Sequence, residues 1–131
     1  VKYLLLMWTK DVPEGQDYAE GFGGDADYQA WMDFEARVRE GGAYLDSGEL
    51  EPVRSAVMVQ PSLAGPEPRE QPDPTAGTLH ISGFYLVDVP ELAGALAIAE
   101  SMPLYGSVEV RPLVDYGASG WDAETSEPAT P

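Results

Sequence analysis

Thr78-Leu-His-Ile-Ser-Gly-Phe-Tyr-Leu-Val-Asp88 decides the fold. It is rich in β-branched and aromatic residues, free of proline, and reads as a strand. Immediately after it, Pro90 sits where a first helical turn tolerates proline. Leu92, Ala95, Leu96, Ala99 and Met102 then form an apolar stripe at helical spacing, ended by Met102-Pro103. Ser107 to Leu113 follows as a last strand, alternating Val108, Val110 and Pro112 against Glu109 and Arg111.

Working back towards the start, Val1-Lys-Tyr-Leu-Leu-Leu-Met-Trp-Thr9 is a second strand, apolar on both alternating faces. Leu4, Leu6 and Trp8 lie on one side, Tyr3, Leu5 and Met7 on the other, so cover is expected on both. Lys10 to Gly24 is glycine-rich and reads as a loop. A helix starts near Asp25 or Asp27, either of which suits a cap. Tyr28, Trp31, Phe34 and Val38 form its core side, and Gly41-Gly42 stops it. Ala43–Asp46 and Arg54–Gln60 read as short strands around a turn or bulge at Asp46-Ser-Gly-Glu49. Residues 61–78 are dense in proline, glycine and charge and form a long irregular excursion.

The order is β-α-β-β-α-β, the ferredoxin-like α+β arrangement, with two helices on one face of an antiparallel sheet. One domain over residues 1–115 and an acidic tail over 116–131, expected to be disordered, account for the 131 residues. Two helices cover one sheet face only. The apolar residues on the other predict a homodimer, the second copy supplying the missing cover.

The charge narrows the partners. Seven basic residues against 23 acidic ones leave a formal charge of −16, which repels nucleic acid and anionic membranes alike. With no cysteine there is no disulfide, thiolate or zinc–sulfur chemistry, and no signal-peptide pattern is present, so a cytoplasmic location is expected. Asp46 and Glu49 offer too few oxygen ligands for a metal cage and read as solvated turn residues. Gly21-Phe-Gly-Gly24 lacks the lysine of a phosphate loop. No cofactor or metal is expected.

His80 is the only histidine and the only side chain that titrates near neutrality unperturbed. Strand alternation puts it beside Ser82 and Phe84, so His80 with Ser82 is the candidate catalytic pair, set against a structural histidine. Glu109 and Arg111 share a face of the last strand. They either form a salt bridge or present Arg111 to a substrate carboxylate or enolate. Trp8, Phe84, Glu109 and Arg111 are the candidate substrate-binding residues.

Three segments resemble the YCII-related proteins, in particular a bacterial subgroup known for a DGPF motif. Lys2-Tyr-Leu-Leu-Leu-Met7 is similar to that family's first strand, and Ser82-Gly-Phe-Tyr-Leu-Val-Asp-Val89 with Pro90-Glu-Leu92 to its strand entering the second helix. Met102-Pro-Leu-Tyr-Gly-Ser-Val-Glu-Val-Arg-Pro-Leu113 resembles its closing signature. The resemblance spans residues 1–114 and implies a dimeric α+β barrel. The naming motif is absent, Gln71-Pro-Asp-Pro74 standing in its region, and the first-helix start Asp25-Ala-Asp-Tyr28 lacks the histidine of other members. Their His/Asp acid–base pair therefore does not transfer. The resemblance leaves two functions open: a small cofactor-independent enzyme for proton transfer, elimination or cyclisation on a small organic substrate, or a non-catalytic binding or regulatory module.

Overall fold

Because Lys2–Thr9 is apolar on both sides, it belongs at the centre of a sheet, and there it lies as strand β1. The computed structural model describes residues 1–10, 25–59, 61–62, 65–66, 79–117, 121–122 and 127–128. After β1 come helix α1 (Asp25–Glu40), strand β2 (Tyr44–Glu49), a 3₁₀ turn at Val53–Ser55, and two two-residue strands, β3 (Pro61–Ser62) and β4 (Gly65–Pro66). Then follow β5 (His80–Asp88), α2 (Leu92–Glu100), β6 (Ser107–Pro112), β7 (Trp121–Asp122) and β8 (Glu127–Pro128). The main sheet has the order β2-β5-β1-β6, every neighbouring pair antiparallel. This is the ferredoxin-like α+β fold. The crossover through α1 makes β1 and β2 parallel and leaves a slot between them, which β5 fills.

Odd-numbered residues of β1 point to the core. Tyr3, Leu5 and Met7 are buried with Tyr85, Val87 and Val89, against Phe34 and Val38 of α1, Ala95 of α2 and Met102 just beyond it. Gly42 closes α1 at φ 78°, the left-handed conformation that favours glycine after a helix.

Several sequence expectations shift. Helical spacing puts Tyr28 on the core side of α1, yet it is 67% exposed, while Phe34 and Val38 further along the helix are buried. Arg54–Val59 is not a strand, and Gln60 lies outside the described residues. Pro52 opens a tight turn, its carbonyl accepting from the Ser55 amide at 2.9 Å and the Ser55 hydroxyl at 2.8 Å. Strand β5 already has a neighbour on each side, so no slot remains for that segment. Asp46–Glu49 is strand rather than turn, held by β5, with the irregularity one residue earlier at Leu45.

Pro90 precedes the helix instead of starting it, since α2 begins at Leu92. Leu92 and Leu96 are exposed, while Ala95 and Met102 face the core. In a helix apolar almost all round, periodicity cannot name the packing side. Gly94 lies there against Val89, a position where an added Cβ would sit 3.2 Å from the valine Cβ. Within the tail, Trp121–Asp122 pairs with Glu127–Pro128. The expected loop at residues 11–24, residue 60, most of the 61–78 excursion and tail residues 118–120, 123–126 and 129–131 lie outside the described residues.

Candidate functional site

Register assigns every even-numbered residue of β1 to the face away from the helices, in rows across the sheet. One row runs Arg111, Leu4, Leu86, Asp46, and the next Glu109, Leu6, Phe84, Gly48. Leu4, Leu6, Trp8, Phe84 and Leu86 are each only partly buried, because among the described residues no helix covers this side. The Phe84 ring leans over Gly48, where a side chain would collide with it at 2.7 Å.

On this apolar surface one carboxylate is held fast. The Trp8 indole Nε1–H donates to Glu109 Oε1 at 2.9 Å, and Arg111 Nε lies 3.6 Å from Glu109 Oε2. The Arg111 side chain is 69% exposed, so this ion pair contributes little stability by itself, and most of the guanidinium edge faces outward. Both alternatives for Glu109 and Arg111 are thus partly realised: the salt bridge exists, and the arginine still faces solvent. Trp8, Phe84, Glu109 and Arg111 come together on one face.

His80 does not join them. Met7 pairs with Gly83 but Trp8 pairs with Ile81, so the strand bulges at Ser82 and alternation reverses. His80 then pairs with Thr9, in register with the helix side and not with Phe84. Arg111 pairs with Leu4, five residues along β1, about 17 Å away at the rise of a strand. The Ser82 hydroxyl is directed at the Met7 carbonyl, 3.4 Å away across the bulge, rather than at the imidazole. His80 Nε2 is buried without a hydrogen-bond partner among the described residues.

No family model matches the chain, and no curated protein does. Geometry must carry the functional argument.

On the helix side the structure assembles a polar group that periodicity could not reveal. The Tyr85 hydroxyl donates to Glu35 Oε1 at 3.2 Å, Glu35 Oε2 lies 3.4 Å from Arg39, and the Arg39 guanidinium sits 3.9 Å above the Tyr44 ring. Phe34 meets Tyr85 edge to face at 5.3 Å. Burial, then the Glu35 carboxylate, pushes the Tyr85 phenol well above its ordinary value. Only the i, i+4 spacing of Glu35 and Arg39 was legible as a helix ion pair. The network anchors α1 to β2 and β5. Asp46 accepts from the Ser47 amide at 2.8 Å, and among the described residues no three His, Asp or Glu side chains gather as a metal would require. Nor is any described helix long and apolar enough to cross a membrane.

Proposed function

We propose that this chain is a small YCII-like protein that works as a homodimer, two copies packing uncovered face to uncovered face. In the seam between them it binds a small organic molecule. The observation that carries this is the 2.9 Å hydrogen bond from Trp8 to Glu109, which immobilises a carboxylate beside the apolar centre formed by Leu4, Leu6, Phe84 and Leu86. A fixed acceptor among apolar groups suits a ligand with an apolar body and one N–H or O–H donor. A binding or regulatory role is favoured over catalysis, since His80 stands apart from Arg111 and Glu109. The test is a crystal soaked in a metabolite mixture, with light scattering on the same protein. A mass near twice 14.1 kDa and ligand density beside Glu109 are expected. A monomer with that face bare sinks the reading.

A catalytic version has one observation in its favour, the buried Nε2 of His80, which has no hydrogen-bond partner among the described residues. His80→Ala then abolishes any turnover while the fold survives. Activity that persists with an unaltered pH profile assigns His80 a structural role.

A further inference from the structure

The uncovered face carries five charged register positions. Lys2 lies opposite Asp88, Arg111 and Asp46 end the row that holds Leu4 and Leu86, and Glu109 stands in the next row. Glu109 already has two partners in its own chain, Trp8 and Arg111. The Asp46 carboxylate meets only a backbone amide, from Ser47, among the described residues.

Two in-plane two-fold axes can stack such a face on itself, and they treat these charges differently. An axis along the strands lays β1 over the partner's β5 and β6 over the partner's β2, each row over itself. Lys2 then meets the partner's Asp88, Leu4 the partner's Leu86, Leu6 the partner's Phe84, and Arg111 the partner's Asp46. An axis across the strands lays each strand over its own copy, reversed about Leu5. It satisfies Arg111 with the partner's Glu109, but it sets Lys2 over Trp8 and Asp46 over Gly48, two charges with no facing counter-charge across the seam, while Asp88, over Ile81, keeps its own ion pair with the Val1 amino group at 3.1 Å. Burying a charge that faces no counter-charge is strongly unfavourable, so the two arrangements are far from equivalent.

We infer that two copies pack about a two-fold axis parallel to the strands, latched at both edges by Arg111 of one protomer and Asp46 of the other. This rests on the proposal that a second copy covers the face, and adds its orientation and the residues that set it. Sheets stack about 10 Å apart, a gap that a long arginine and a facing aspartate bridge from opposite sides. The Arg111 Nε stays turned towards Glu109 while its terminal nitrogens reach across. Because the contact is isologous, one residue pair acts twice in each dimer.

Charge reversal tests the latch by sedimentation equilibrium of the full chain. Arg111→Asp and Asp46→Arg each place like charges at both edges and weaken dimerisation at least tenfold, and the double reversal returns it to within about threefold of the unaltered protein. Both side chains are exposed, so circular dichroism should show each variant folded. Should a reversal variant unfold, the neutral pair Arg111→Gln and Asp46→Asn replaces it, each weakening the dimer and the two together adding no further loss. Rescue of Arg111→Asp by Glu109→Arg instead of Asp46→Arg overturns the orientation. Single variants that dimerise as tightly as the unaltered chain overturn the latch while the dimer stands. An unaltered chain that is monomeric overturns both.

Discussion

Trp8 and Glu109, 101 positions apart in the chain, are joined by a hydrogen bond of 2.9 Å that ties the central strand to the edge strand β6 on the uncovered face. A hydrogen bond to a carboxylate is stronger than one between neutral groups, and this one is partly shielded from water. Trp8→Phe and Glu109→Gln should each lower the stability by about 1 kcal/mol, with the double variant little worse than either single one. Urea denaturation measures the cycle. Strictly additive losses would mean that the bond contributes nothing in solution.

Tyr85 gives the fold an alkaline limit. Its folded pKa is raised above the ordinary 10.0 by burial and by Glu35, so the native state holds the phenolic proton more tightly than the unfolded chain does. Below about pH 10 both states are protonated and the contribution is fully present. Above it the unfolded state loses the proton first, and stability falls as pH rises towards the folded value. Melting temperatures of Tyr85→Phe should therefore decline less steeply between about pH 9.5 and pH 11 than those of the unaltered chain. Parallel curves would contradict the burial of the phenol.

Two aromatic residues six positions apart on α1 should behave oppositely. Phe34 is fully buried against Trp31 and Tyr85, and Phe34→Ala should remove about 3–5 kcal/mol. Tyr28→Ala, at an exposed site, should stay within about 0.5 kcal/mol of the unaltered chain. Thermal denaturation of both variants separates the core face of the helix from its outer face.

Glycines 42 and 106 are required for different reasons. Gly42 has open space around it but adopts φ 78°, so Gly42→Ala should cost about 1 kcal/mol of backbone conformation. A Cβ on Gly106 would collide with the Trp8 carbonyl oxygen, a backbone atom of the central strand. Gly106→Ala should consequently be the more damaging of the two and should shift the indole N–H resonance of Trp8. An equal loss in both variants would show that the turn before β6 gives way easily.

Local chemistry alone determined β1 and β6, both helices, the glycine stop after Glu40 and the α+β order, because each depends on periodicity and caps over a few residues. It also brought Glu109 and Arg111 onto one face, since a period of two in β6 is uninterrupted. Tertiary structure decided what a bulge alters. Alternation taken straight through β5 aligned His80 with Phe84, but the register slip at Ser82 turns His80 to the helix side, and that slip is set by pairing with Met7 and Trp8. The Tyr85–Glu35–Arg39–Tyr44 network, the exposure of Leu92 and Leu96, and the row from Arg111 to Asp46 are likewise products of pairing between distant segments. Sequence spacing carries no record of such contacts, because which strands become neighbours follows from packing the whole sheet against its two helices.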